Sequence, residues 1–246
     1  MAQQPQAGLS SAAVLDLWEQ GVNRHPVDRA LLLLQYACPE ESFESLCDWP
    51  LGARDARLLA LRRATFGDRI ESYAECPDCR NGLEFDLSCE GLVVSAATSR
   101  SIWTTVEQDG RSWELRGPNS RDLADAAAAT DLEAARRLIL SRCVRGAGRP
   151  VDEAGWTDEL QQALTVRLSE VDPLAEILID LSCQVCGRQW QNLFDVVGFL
   201  WHEIQTRGRR LLQEVDLLAR TYGWTEGEIL RLGEQRRSLY MGMALS

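Results

Sequence analysis

Cys76-Pro77-Asp78-Cys79 and Cys183-Gln184-Val185-Cys186 are the two stretches on which the fold of this chain turns. Two Cys-x-x-Cys elements supply four thiolates, enough to close a tetrahedral structural zinc site with no position left for water. Each pair lies between short segments that alternate apolar and polar residues. Each therefore reads as a zinc knuckle at the tip of a β-hairpin, and the hairpins meet across one metal. About a hundred residues separate Cys79 from Cys183, against roughly 15–20 in a contiguous four-cysteine site. An insertion must fill the gap.

Outward from the first pair, Ile70 and Tyr73 lead in, and Leu83, Phe85 and Leu87 alternate with Glu84, Asp86 and Ser88 on the way out. Asn81-Gly82 tolerates the positive φ of the return. Ile177, Ile179 and Leu181 lead into the second pair, with Trp190, Leu193 and Phe194 beyond it, so 70–88 recurs weakly at 176–194. The region before the first pair reads as helices over 11–20 with Ser11 as cap, over 26–37 from Pro26, around 41–47, and over 51–66 up to Gly67. Between the pairs, 103–106 and 113–115 flank Asp109-Gly110 as a two-strand pattern with Trp103 and Trp113 cross-strand, after a soft linker at 95–101. Asn119 or Ser120 caps an alanine-rich helix over 121–144 with a break at Thr130, and a helix over 157–171 stops at Asp172-Pro173.

After the second pair, Asp195 caps a long helix whose apolar stripe includes Val197, Leu200, Trp201, Ile204, Leu211, Val215, Leu218 and Tyr222. Gly223 ends it. Thr225 and Glu228 form the capping box of a last helix carrying Ile229, Leu232, Leu239 and Tyr240, so a projecting helical hairpin is expected. The fold class is α+β, mainly helical, with two Cys-x-x-Cys β-hairpins forming a split zinc ribbon. Its regions are 1–69 (helical), 70–90 (first knuckle), 91–175 (inserted β-hairpin plus helices), 176–194 (second knuckle) and 195–246 (helical hairpin).

The 246 residues are 45% hydrophobic, which suffices for a real core. All 26 basic residues are arginine, against 37 acidic ones, and the net charge of −11 counts against nucleic acid as a partner. No run approaches the roughly 18 apolar residues of a membrane span. Residues 1–11 carry no basic residue and no apolar segment of the signal-peptide kind, so a cytoplasmic, reducing location is expected. The eight cysteines are read there as thiols and metal ligands. Cys38, Cys47, Cys89 and Cys143, with no paired spacing, read as small core residues.

For the four paired cysteines the competing readings are structural zinc, a redox dithiol and plain core thiols. A redox Cys-x-x-Cys needs its first thiolate at a helix N-terminus, and strand-like flanks disfavour that here. One structural Zn2+ per chain, held by Cys76, Cys79, Cys183 and Cys186, is the expectation, and a closed four-sulfur site cannot activate water. His25 and His202 stand in no metalloprotease or nucleophile context, phosphate-binding glycine loops are missing, and there is no lysine. No enzyme and no small-molecule substrate are therefore expected. The arginines of the C-terminal region are either a solvated face or, with its aromatics, a protein interface. As an interface the candidates are Trp201, Arg207, Arg210, Tyr222, Trp224, Arg236, Arg237 and Tyr240.

Pro50-Leu51-Gly52-Ala53-Arg54-Asp55, LLALRRATFG at 58–67, the first CPDC, and FLWHEI with YGWTEGEIL in the C-terminal region together resemble the baseplate hub assembly chaperone family. This is the family of T-even-type tailed phages and phage-derived contractile injection systems. The resemblance implies a non-enzymatic protein that binds baseplate or hub components during assembly of a contractile tail, and that could be incorporated into the particle. The relatives' pattern is Cys-Pro-x-Cys-Gly. Here Arg80 stands where Gly would follow and Gln184 where Pro would stand, which puts the turn geometry in question but keeps all four ligands. The alternative is a zinc-ribbon adaptor in transcription or RNA handling, against which the net charge counts. A redox protein is a third reading.

Overall fold

The structure, a computed structural model, describes residues 7–93, 103–108, 110–146, 149–150 and 156–245. It is α+β and 57% helical, with small antiparallel sheets, so helices set the architecture. Helix α1 (Ser11–Gly21) is capped by Ser10, one residue earlier than expected, whose Oγ accepts the Ala13 N–H at 3.1 Å. Helix α2 (Pro26–Ala37) starts at Pro26, whose missing N–H costs nothing there, and His25 Nδ1 accepts the Val27 N–H. A short α3 (Phe43–Cys47) leads to α4 (Leu51–Phe66), which closes at Gly67 with a positive φ of 96°. Pro50 offers α4 no side-chain cap. The cap comes instead from Asp172, whose Oδ2 accepts the Gly52 N–H at 3.0 Å from 120 residues away.

Strands β1 (Arg69–Glu75) and β2 (Gly82–Ser88) pair antiparallel, Ile70 opposite Leu87 and Ser72 opposite Phe85, and run into a one-turn α5 (Cys89–Val93). The insertion begins with β3 (Thr104–Gln108) and β4 (Arg111–Leu115), followed by α6 (Ser120–Ala126) and α7 (Leu132–Cys143). Then come β5 (Val144–Gly146), β6 (Arg149–Pro150) and α8 (Asp158–Val171). Four strands in the order β3-β4-β5-β6 make one antiparallel sheet, two strands more than the sequence suggested. Trp113, Leu115, Leu140, Cys143, Val144, Leu164 and Leu168 bury beneath it as a core of their own.

Two expectations change in the insertion. Trp113 pairs with Val106, not Trp103; Trp103 precedes β3, and its ring lies under the Arg145 guanidinium at 4.0 Å. As expected, Asn119 caps the alanine-rich segment, in a reciprocal capping box with Asp122, and the segment breaks around Thr130 into α6 and α7, with Asp131 as the second cap. Val144 already belongs to a strand. The linker expected at 95–101, and Asp109 of the expected turn, lie outside the described residues.

Strands β7 (Leu178–Ser182) and β8 (Gln189–Leu193) form a second two-stranded antiparallel sheet, and Phe194 leads to α9 (Val196–Tyr222), capped by Asp195 Oδ1. At 27 residues this helix is about 40 Å long. It does not project. Leu200, Trp201, Ile204 and Leu211 are buried with Leu17 of α1, Leu33 and Leu34 of α2 and Leu58 and Leu61 of α4 in the main core. The N-terminal stretch of α9 is apolar on the side that these helices cover, so it sits among them. Its distal end packs with α10 (Glu226–Leu230) and α11 (Glu234–Ala244), where one last helix was expected. Gly233 takes the N-cap position of α11 in an extended conformation, which divides the two. Among the described residues no helix is long and apolar enough to cross a membrane.

Candidate metal centre

The two Cys-x-x-Cys turns repeat one local geometry. In the first, Cys76 N–H donates to the Asn81 carbonyl at 2.9 Å and Arg80 N–H donates back to the Cys76 carbonyl at 2.9 Å. In the second, Cys183 N–H donates to the Arg188 carbonyl at 2.8 Å and Gly187 N–H to the Cys183 carbonyl at 3.0 Å. The residue after the second cysteine must be left-handed to close this turn. Gly187 takes φ 74° freely, and Arg80 takes φ 58°, the one non-glycine residue with positive φ among those described. The turn questioned by Arg80 in place of Gly is thus formed, with the strain carried by Arg80 itself.

The register of the flanking strands aims both turns the same way, and the Sγ atoms of Cys76, Cys79, Cys183 and Cys186 all lie within 4.8 Å of one another. Cys76 approaches Cys186 at 3.6 Å and Cys79 approaches Cys183 at 3.5 Å, so both short contacts run between the sheets. Cys76 and Cys183 are buried; Cys79 and Cys186 are exposed. Arg188 beside one turn faces Asp78 in the other at 3.8 Å, a weak second tie that sequence spacing could not reveal.

Backbone dipoles polarise the cluster. The N–H groups of Cys186 and then Val185 point at the Cys183 sulfur and bring its thiol down to about 6. Cys186 goes the other way, up to about 12: the Arg188 amide lowers it, but desolvation and the neighbouring Cys76, Cys79 and Cys183 sulfurs outweigh that pull. Cys79 is also raised, the Asn81 amide being overcome by desolvation and the Cys183 contact. A cation at the centre would be favoured by such crowded sulfurs, because it replaces mutual repulsion with attraction. Four soft ligand atoms at this separation could hold a metal ion. Cys38, Cys47, Cys89 and Cys143 are buried, as core residues should be, and burial pushes the Cys143 thiol up to about 12.

The C-terminal candidates do not form one surface. Trp201 is 5% exposed: its ring fills the space beside Gly21, where a Cβ would lie 2.3 Å from it, and Arg29 stacks on it at 4.7 Å. Arg237 is 1% exposed, its Nε donating to Glu214 and its Nη1 to the Leu232 carbonyl. Apolar packing claims the first and a buried ion pair the second, so neither is available to a partner. Arg207 is largely covered and reaches Glu234 at 3.0 Å, while Arg210 is exposed and bonds Glu214 at 3.0 Å. Tyr222, Trp224 and Tyr240 do come together, half-buried, with centroids 4.7 to 5.7 Å apart, and Arg236 stays exposed.

Compared with protein-family models, curated proteins and solved structures, the chain matches none of them.

Proposed function

We propose that the four cysteines hold one structural Zn2+, closing a split zinc ribbon from two hairpins far apart in sequence. The convergence of four sulfurs from two sheets within 4.8 Å carries this reading. Two-stranded sheets cannot stabilise themselves, and the metal would supply that deficit as folding free energy. Resting on the resemblance of PLGARD, LLALRRATFG and YGWTEGEIL to the baseplate hub assembly chaperones, the protein assists or forms part of baseplate assembly in a phage-like contractile particle. It does so by binding other components, without enzymatic chemistry. The ring cluster of Tyr222, Trp224 and Tyr240 with exposed Arg236 at the end of the α9–α11 helical hairpin is the surface offered, since Tyr, Trp and Arg dominate protein-binding hot spots.

Metal analysis of the purified protein should give about one zinc per chain, lost in the Cys76→Ser/Cys183→Ser double variant together with thermal stability. A well-folded protein that never contains metal would refute the zinc assignment. Affinity capture from cells assembling the particle should recover baseplate or hub proteins, and recovery should fall for Trp224→Ala with Arg236→Ala. Capture of RNA polymerase or RNA instead would favour the adaptor reading.

A further inference from the structure

The placement of the four sulfurs determines what the centre becomes if the metal is lost to oxidation. Two short sulfur contacts run between the sheets, Cys76 to Cys186 at 3.6 Å and Cys79 to Cys183 at 3.5 Å. Each joins an exposed residue, Cys186 or Cys79, to a buried one, Cys76 or Cys183. Oxidants therefore reach one member of each contact first, and the other lies in van der Waals range behind it. The other four cysteines are all buried, each outside this cluster.

We propose that this centre is an oxidation-responsive clasp, in which hydrogen peroxide exchanges the metal-held joint for two cross-sheet disulfides, Cys79–Cys183 and Cys76–Cys186. The proposal rests on the zinc reading above. The exposed Cys79 thiolate is oxidised to a sulfenic acid while one peroxide is reduced to water. The buried Cys183 thiolate then attacks that sulfur, forming the S–S bond and expelling the sulfenic oxygen as a second water. Cys186 and Cys76 repeat the two steps with a second peroxide. Four electrons leave the four metal-bound thiolates, two peroxides take up four protons from solvent and become four waters, and the metal departs as its thiolates are consumed. Each sulfur pair closes by about 1.5 Å to reach bonding distance. The sheets remain joined, whereas disulfides within each Cys-x-x-Cys would cut them apart.

Zinc is measured first on the full-length protein as purified under reducing conditions, after which hydrogen peroxide is added in stepwise equivalents. Free thiols are expected to fall from eight to four as zinc is released to a chromogenic chelator, with dithiothreitol and zinc restoring the starting state. Trypsin cuts after Arg69, Arg80, Arg167 and Arg188, leaving each cysteine pair on its own peptide. Non-reducing mass spectrometry should show these two peptides linked, with fragmentation placing the bonds at 76–186 and 79–183. Separate peptides with internal disulfides, a 76–183 and 79–186 pairing, or irreversible sulfinic acids would each overturn the proposal. Absence of zinc at the outset would defeat the zinc reading and with it the exchange, whereas zinc present at the outset followed by any other disulfide map would defeat this proposal alone.

Discussion

Gly52 has no room for a side chain: a Cβ would stand 2.0 Å from Asp172 Oδ1 and 3.0 Å from the Leu174 Cβ. Asp172 must be that close, because it is the cap that Pro50 cannot provide for α4. Gly52→Ala is expected to push the carboxylate off the helix end and cost roughly 2 kcal/mol, a lost cap plus overpacking, read as a lower midpoint in denaturant. The same carboxyl also carries a pH dependence. Burial raises its pKa above the ordinary range, with the Asp55 charge adding to that and the Gly52 amide and Arg54 opposing it. The folded chain thus holds a proton that the unfolded chain has released, so stability from this group is gained as pH falls through the raised pKa and lost as pH rises. Asp172→Asn keeps an acceptor and removes the charge. Wild type should therefore gain stability relative to this variant on acidification from neutrality, and a pH-independent difference would contradict the burial argument. PLGARD stands out in the sequence as a helix start, but its partner at position 172 does not. Cap logic looks a few residues back, and this cap comes from across the fold. Arg80 makes the same point in reverse, since its type argues against the left-handed backbone that the turn imposes on it.

Helix α9 is the element that sequence describes best and misplaces most. Asp195 at its start, Gly223 left-handed at its end and the buried stripe Val197, Leu200, Ile204, Leu211 and Leu218 all follow from local rules of capping and periodicity. What periodicity cannot tell is whether an arginine on the next helix faces water. Arg237 points inward because Glu214, only 7% exposed on α9, needs a cation, and Arg210 and Arg207 approach the same carboxylate at 3.0 and 3.8 Å. The Arg237 Nη2 has no partner, so the pair is imperfectly satisfied and contributes position more than net stability. Glu214→Ala should cost about 3–5 kcal/mol by stranding the buried guanidinium. Glu214→Leu with Arg237→Met should recover most of that loss. Hydrogen exchange should show α11 losing protection in the single variant while α1, α2 and α4 keep theirs; uniform loss along the chain would mean that the pair supports the whole fold and not this junction.

At the scale of the molecule, alternating strands, helical stripes and turn residues suffice to read a mainly helical α+β chain with an insertion between two cysteine turns. The insertion's own core is not readable, because the strands that complete it are only three and two residues long and carry no periodic signal. Yet that core changes how the protein should come apart. The main core runs through α1, α2, α4 and α9, and the second lies among β3 to β5, α7 and α8. The two meet along α6, whose Leu123 packs on the main core and whose Arg121 pairs with Glu44 and Asp48, and at the start of α4. Leu51 N–H donates to the Pro118 carbonyl at 2.8 Å, Asp172 caps Gly52, and beyond it Leu174 and Ile177 already belong to the main core. A cavity in the second core should therefore open the insertion without opening the rest. Leu164, fully buried on α8, is the sharpest probe: Leu164→Ala should cost about 2–5 kcal/mol. Amide exchange should speed up in α7, α8 and β4 while α2 and α9 stay protected, and the content of any bound metal should not change. Equal acceleration in α9 would show that the joint at Gly52 transmits the loss and that both cores fold as one unit.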